Sequence, residues 1–185
     1  MTYIITIPPG ISDKLQTHLF QNQLEQGAFL FAKVNRSQDL VNFQVVEMYQ
    51  IPSEGWEVQL EVYLEMRDSE RAKIMQMARS IECAAIDCHS HPDSGTQVAF
   101  SPSDRGGITD FAKYAKWKLP GQPFAAMVWG EQSVDAIAWD GSFVEAQNIE
   151  GINISSTPPT FIRPQGSWWP KYKKGWVKGR SYGKR

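Results

Sequence analysis

The clearest pattern along this chain is a two-residue alternation of apolar and polar positions. It runs through "VNFQVVEMYQI" at 41–51 and "WEVQLEVYLEM" at 56–66, where the β-branched content predicts two partly buried strands. "GAFLFAK" at 27–33 and "IECAAIDCHSH" at 81–91 are shorter, more continuous apolar runs, and each predicts a further strand. "FAAMVWG" at 124–130 and "SVDAIAWDG" at 133–141 predict a strand pair joined by a turn at Gly130, Glu131 and Gln132.

A helical period replaces the alternation in three places. After a short apolar strand ends at "IPPG", Ser12 is expected to cap a helix through "DKLQTHLFQNQLE" at 13–25, with Leu15 and Leu19 on its buried face. "DSERAKIMQMARS" at 68–80 has an acidic start, a basic residue near its end and an apolar stripe of Ile74, Met75 and Ala78. A third helix is expected over 103–118, broken by "LPGQP" at 119–123. This order predicts one mixed α/β domain over residues 1–150, with helices packed on a curved sheet, rather than a doubly wound parallel fold. Residues 151–185 are rich in turn formers and are expected to be an irregular or partly ordered extension.

Composition narrows the class. At 185 residues, 42% hydrophobic and 21% charged, the chain has the balance of a globular domain. It contains no long apolar span and its start lacks the features of a secretory signal, so the expectation is a cytoplasmic protein without membrane contact. Cys83 and Cys88 would point to opposite faces of one strand and stay unbridged in the core.

The charge is uneven. Eight Lys or Arg and no acidic residue follow Gly151, which leaves 11 basic against 20 acidic groups before it. The basic extension, with Trp168, Trp169 and Trp176, is expected to pack on its own domain or on a protein partner. Nucleic acid is the weaker reading, because the whole chain is not basic and no known nucleic-acid module is present.

The chemistry concentrates in "CHSHPDSGTQVAFSPSD" at 88–104. On an extended strand His89 and His91 share a face while Ser90 points to the other, which offers two imidazole ligands to one metal. "SPSD" is a helix-start pattern, with Ser101 at the cap, Pro102 at the first helical position and Asp104 at the third. Asp104 could complete a His, His, Asp set around Zn²⁺ with an open fourth position, the mark of a catalytic zinc. Singly, "HSHP" reads as a strand end and "SPSD" as a helix cap; together and in this order they read as a metal site. A hydrolytic centre also needs a proton acceptor; the chain has many acids and composition does not choose among them, but Glu25, at the junction of the first helix and the "GAFLFA" strand, is the structural favourite. Asp87 would face the same side as His89 and could orient its ring. Asp93 reads as a turn residue and His18 as a surface or boundary residue.

These residues resemble the JAMM (MPN) family of zinc isopeptidases, whose pattern is an N-terminal glutamate, His-Ser-His-Pro or His-Thr-His-Pro, then a serine and an aspartate separated by two residues. The match is Glu25, His89-Ser90-His91-Pro92, Ser101 and Asp104, and it covers roughly residues 11–145. Nine residues separate His91 from Ser101 here where the family usually has seven, a loop difference of small entropic cost. The resemblance implies a cytidine-deaminase-like mixed sheet flanked by helices. It implies zinc on His89, His91 and Asp104, with Glu25 moving a proton from the attacking water to the leaving amine and Ser101 donating to the developing oxyanion. It further implies cleavage after the C-terminal glycine of a ubiquitin-like protein, with 56–70 as a substrate-contacting segment and activating and conjugating enzymes of the same pathway as partners. Some bacterial members of the family act in antiviral defence. The alternative is a non-catalytic JAMM-like scaffold that binds a protein partner.

Overall fold

The computed structural model describes residues 1–141 and 145–166. Its centre is a nine-stranded mixed sheet built from β1 (Thr2–Ile7), β2 (Gly27–Arg36), β3 (Leu40–Gln50), β6 (Ala84–Ser90), β7 (Phe124–Trp129), β8 (Val134–Trp139), β9 (Gln147–Asn148), β10 (Gly151–Ile154) and β11 (Thr160–Ile162). The order across the sheet is β11-β10-β1-β3-β2-β6-β7-β8-β9. A separate hairpin pairs β4 (Trp56–Gln59) with β5 (Leu64–Met66). The helices are α1 (Pro9–Leu19), α2 (Asp68–Ser80) and α3 (Pro102–Lys118). The fold is therefore α/β, a mixed sheet flanked by helices.

Alternation along each strand divides the core in two. Ala28, Leu30 and Ala32 of β2, with Ala84, Ile86 and Cys88 of β6, pack on one side together with Leu15 and Leu19 of α1. Phe29 and Phe31, with Ala85 and Phe124, pack on the other side against Ile74 and Ala78 of α2 and Phe111 and Ala112 of α3. Burial of each such aromatic ring contributes roughly 1.5–3 kcal/mol. Cys83 and Cys88 fall on opposite sides, both buried and free.

The sheet curls until its ends meet. Between β9, beside β8, and β10, beside β1, lie only Ile149 and Glu150, which donate to Ala136 O (3.0 Å) and Tyr3 O (2.8 Å). Flat, the seven strand spacings from β10 to β9 would span about 34 Å. A link of two residues reaches only roughly 10 Å. The first core side, which includes side chains from β1, β8 and β10 alike, is thus the inside of a curled sheet filled by α1, and α2 and α3 cover the outside.

Several expectations needed correction. α1 starts at Pro9 behind Pro8, so Ser12 is a buried helical residue and not its cap. It ends at Leu19 instead of reaching Glu25, because the Asn22 side chain takes the Leu24 N–H (2.9 Å) and the Gln26 side-chain amide (3.0 Å), bonds that compete with a continuing helix. His18 is buried rather than superficial, with Nε2 2.9 Å from Gly27 O. The 56–66 stretch folds back as the β4–β5 hairpin and is not one strand. Residues 151–162 are not an irregular extension either: β10 pairs parallel with β1, and β11 pairs antiparallel with β10. Trp168, Trp169 and Trp176 lie outside the described residues. Among the described residues no helix is long and apolar enough to cross a membrane.

Candidate metal centre

β6 lies in the middle of the sheet, between β2 and β7, and ends at Ser90. There His89 points to the α3 side, and His91, whose N–H bonds Trp129 O at 2.8 Å, follows it to the same side. α3 meets them at its N-terminus. The Asp104 N–H donates to Ser101 Oγ at 3.1 Å, and the Ser101 N–H donates to Asp104 Oδ2 at 2.6 Å, a reciprocal capping box. Asp104 Oδ2 then stands 3.3 Å from His91 Nε2 and 3.5 Å from His89 Nε2. Asp93 lies in a turn just after the histidines, as expected.

These spacings suit a cation. Donor atoms held about 2.0–2.1 Å from a tetrahedral ion lie about 3.3 Å from one another. One donor atom from each of His89, His91 and Asp104 lies within 4.8 Å of the others. His89 Nε2, in addition, is buried without a hydrogen-bond partner, which is uncommon for a polar atom in a native interior. The group can hold a metal ion, and its donor set of two imidazoles and one carboxylate is chemistry that several divalent metals accept.

Glu25 joins this group from the other side of the sheet order, at the entrance to β2. Its Oε1 is 3.4 Å from His91 Nε2. Burial pushes the Glu25 carboxyl above its usual range, opposed by the His91 and His89 imidazoles. For Asp104 burial also resists ionisation, but the adjoining His89 and His91 outweigh it and hold that carboxyl well below the usual range. Burial pulls His89 down, and Asp104 beside it more than restores it, so its net shift is upward.

One placement differs in kind from the expectation. Asp87 shares a cavity of about 270 Å³ with Glu25, His89 and Asp104, and burial raises it to about 6, but no hydrogen bond ties it to the His89 ring. Ser101 is the cap that the sequence predicts, and Ser103 and Gly107 of α3 line the cavity.

One contributor is absent from the sequence reading. Ser90, fully buried, accepts the Gln26 N–H on its Oγ at 3.0 Å and donates its own N–H to Gln26 O at 3.0 Å. The residue between the two histidines therefore fastens the segment that carries Glu25. Its opposite orientation was legible, but its partner lies far away in sequence.

No family model and no curated protein matches this chain. The solution structure of protein DSY2949 from Desulfitobacterium hafniense resembles it with a TM-score of 0.50 at 17% identity, over 82% of this chain and 94% of that one. The likeness is one of fold.

Proposed function

We propose that this protein is a zinc-dependent peptidase or isopeptidase of JAMM type, which cleaves after the C-terminal glycine of a ubiquitin-like protein. The observation that carries the reading is the convergence of His89, His91 and Asp104 with a fourth group, the Glu25 carboxyl 3.4 Å from His91, beside a cavity that Glu25, His89 and Asp104 line. Zinc held by the three ligands would supply Lewis-acid polarisation of an amide carbonyl and a lowered pKa for water. Glu25, with its affinity for protons raised by burial, is suited to take a proton from the attacking water and return it to the leaving amine. Ser101 uses an oxygen lone pair for the cap, which leaves its O–H free to donate to a developing oxyanion. Free, buried cysteines agree with a reducing, cytoplasmic setting.

Elemental analysis together with cleavage of a ubiquitin-like protein fused through its terminal glycine to a reporter tests the proposal. About one zinc per chain, and cleavage that falls at least ~100-fold in Glu25→Gln without loss of metal, is the expected result. Metal without cleavage of peptide or isopeptide fusions would overturn it and leave a binding protein.

A further inference from the structure

Glu25 is not part of the sheet ladder. It is the next-to-last residue of the irregular stretch before β2, a place where a side chain is ordinarily free to wander. Here both of its main-chain polar groups are taken by the β4–β5 hairpin. The Glu25 N–H donates to Leu60 O at 3.0 Å, and Gln59 Nε2 donates to Glu25 O at 2.9 Å. The first bond is available to any residue at position 60, since it uses a carbonyl. The second depends on the identity of Gln59.

The hairpin can serve as a fixed support because its base is tied down. The Arg67 N–H and Nε donate to Gly55 O (3.0 Å) and Glu54 O (3.1 Å), and Arg67 pairs with Glu57 at 2.6 Å. The Trp56 ring lies so close to Gly27 that a Cβ there would come within 2.6 Å of it. The hairpin is thereby joined both to the start of α2 and to the start of β2, the strand that Glu25 leads into.

We infer that Gln59 is a positioning residue, whose side-chain amide fixes the main chain of Glu25 so that the carboxyl stays over His91. Ser90 grips Gln26 from the sheet side and Gln59 grips Glu25 from the hairpin side, so the peptide between them is held at both ends. Removal of the Gln59 donor leaves the metal ligands untouched and loosens only the proton carrier. This rests on the reading of Glu25 as that carrier.

The test compares Gln59→Met, which keeps length but has no donor, with Gln59→Lys, which keeps a donor, both as zinc-loaded full-length protein. With the glycine-terminated fusion as substrate, Gln59→Met is expected to lower kcat roughly 10- to 100-fold, with KM changed less than about twofold and zinc content unaltered; Gln59→Lys recovers most of the loss. Amide hydrogen exchange gives a readout that needs no substrate: the Glu25 N–H exchanges at least about tenfold faster in Gln59→Met, while amides of β6 and β7 do not change. Unchanged kcat, a loss seen only in KM, or failure of Gln59→Lys to recover activity overturns the inference. Should the wild-type protein cleave nothing, the proposed function fails by itself, and the exchange measurement decides the Gln59 clamp: equal Glu25 exchange in wild type and Gln59→Met rejects it.

Discussion

The Glu25 carboxyl and the His91 imidazole, contributed by segments far apart in the chain, meet at 3.4 Å between Oε1 and Nε2. Neither reaches the other by its own flexibility. His91 is aimed by the end of β6 and by its bond to Trp129 O, and Glu25 by the pairing of Gln26 with Ser90. The contact is a product of register: β2 and β6 run antiparallel with Gly27 opposite His89, which sets Glu25 beside the residue after the strand. A slip of one residue would turn His89 to the α1 side and separate the pair.

Metal loading and pH should act in opposite directions on stability. Without metal, the depressed Asp104 carboxyl contributes stability that is present above about pH 4 and is lost as pH falls toward its lower folded value. The raised His89 contributes stability that is present below about pH 6.5 and is lost as pH rises through its folded value. Metal-free protein is thus expected to melt highest between those limits and lower at pH 8. Zinc, which needs neutral imidazoles, should raise the melting temperature most at pH 7–8, since a ligand at 100-fold its Kd adds about 2.7 kcal/mol. Thermal melts across pH, with zinc and with chelator, check both arms; a zinc effect retained in Asp104→Asn would contradict the assignment.

Ser101→Ala removes the acceptor of the Asp104 N–H and should cost about 1 kcal/mol of stability. The main-chain Ser101 N–H that holds the Asp104 carboxyl is kept in this variant, so metal affinity is expected to fall by less than about tenfold. Competition titration with a zinc indicator separates the two effects. Ser101→Asp, which restores a cap without the hydroxyl, should recover stability and not cleavage.

Ser90→Ala leaves the Gln26 N–H buried without its partner, at a cost of roughly 1–3 kcal/mol. The melting temperature should drop by several degrees, and cleavage should fall more than metal content, because the ligands lie outside the bond that is lost. Ser90→Thr keeps the acceptor and should recover much of both.

Asp87 has the opposite sign from Asp104. Burial raises it to about 6, so its ionisation in the folded protein weakens the fold progressively as pH climbs from about 4 through 6. Asp87→Asn is expected to stabilise metal-free protein at pH 7–8 by up to about 3 kcal/mol and to have little effect near pH 4. Denaturant titrations at the two pH values decide it.

What could be read from sequence was local. The Ser101, Pro102, Asp104 box and the alternation that sends His89 and His91 one way are both written within a few neighbouring residues, and both hold in the structure. The β4–β5 hairpin was hidden because its turn, Leu60 to Tyr63, contains none of the usual glycine, proline or asparagine. The early end of α1 depended on what one side chain, Asn22, chose to bond. β10 was obscured by its brevity, since only Ile152 and Ile154 mark its alternation and its partner, β1, lies at the other terminus. Ser90 and Gln59 escaped for the same reason: each acts on Glu25 or Gln26 across a distance that no spacing rule records.

The meeting of β9 and β10 has a further consequence. An open sheet leaves two rows of unpaired amides and carbonyls, to which another chain can add. Here the outer strands are two and three residues long, and Gln165 and Gly166 return to bond Val134 O and Asp135 Oδ1 along the part of β8 that β9 does not pair. Among the described residues little unpaired edge is left on which a polymer could grow. A molecule of this kind is protected from strand-by-strand assembly by Gln165 and Gly166, and loss of their pairing would expose β8 to it.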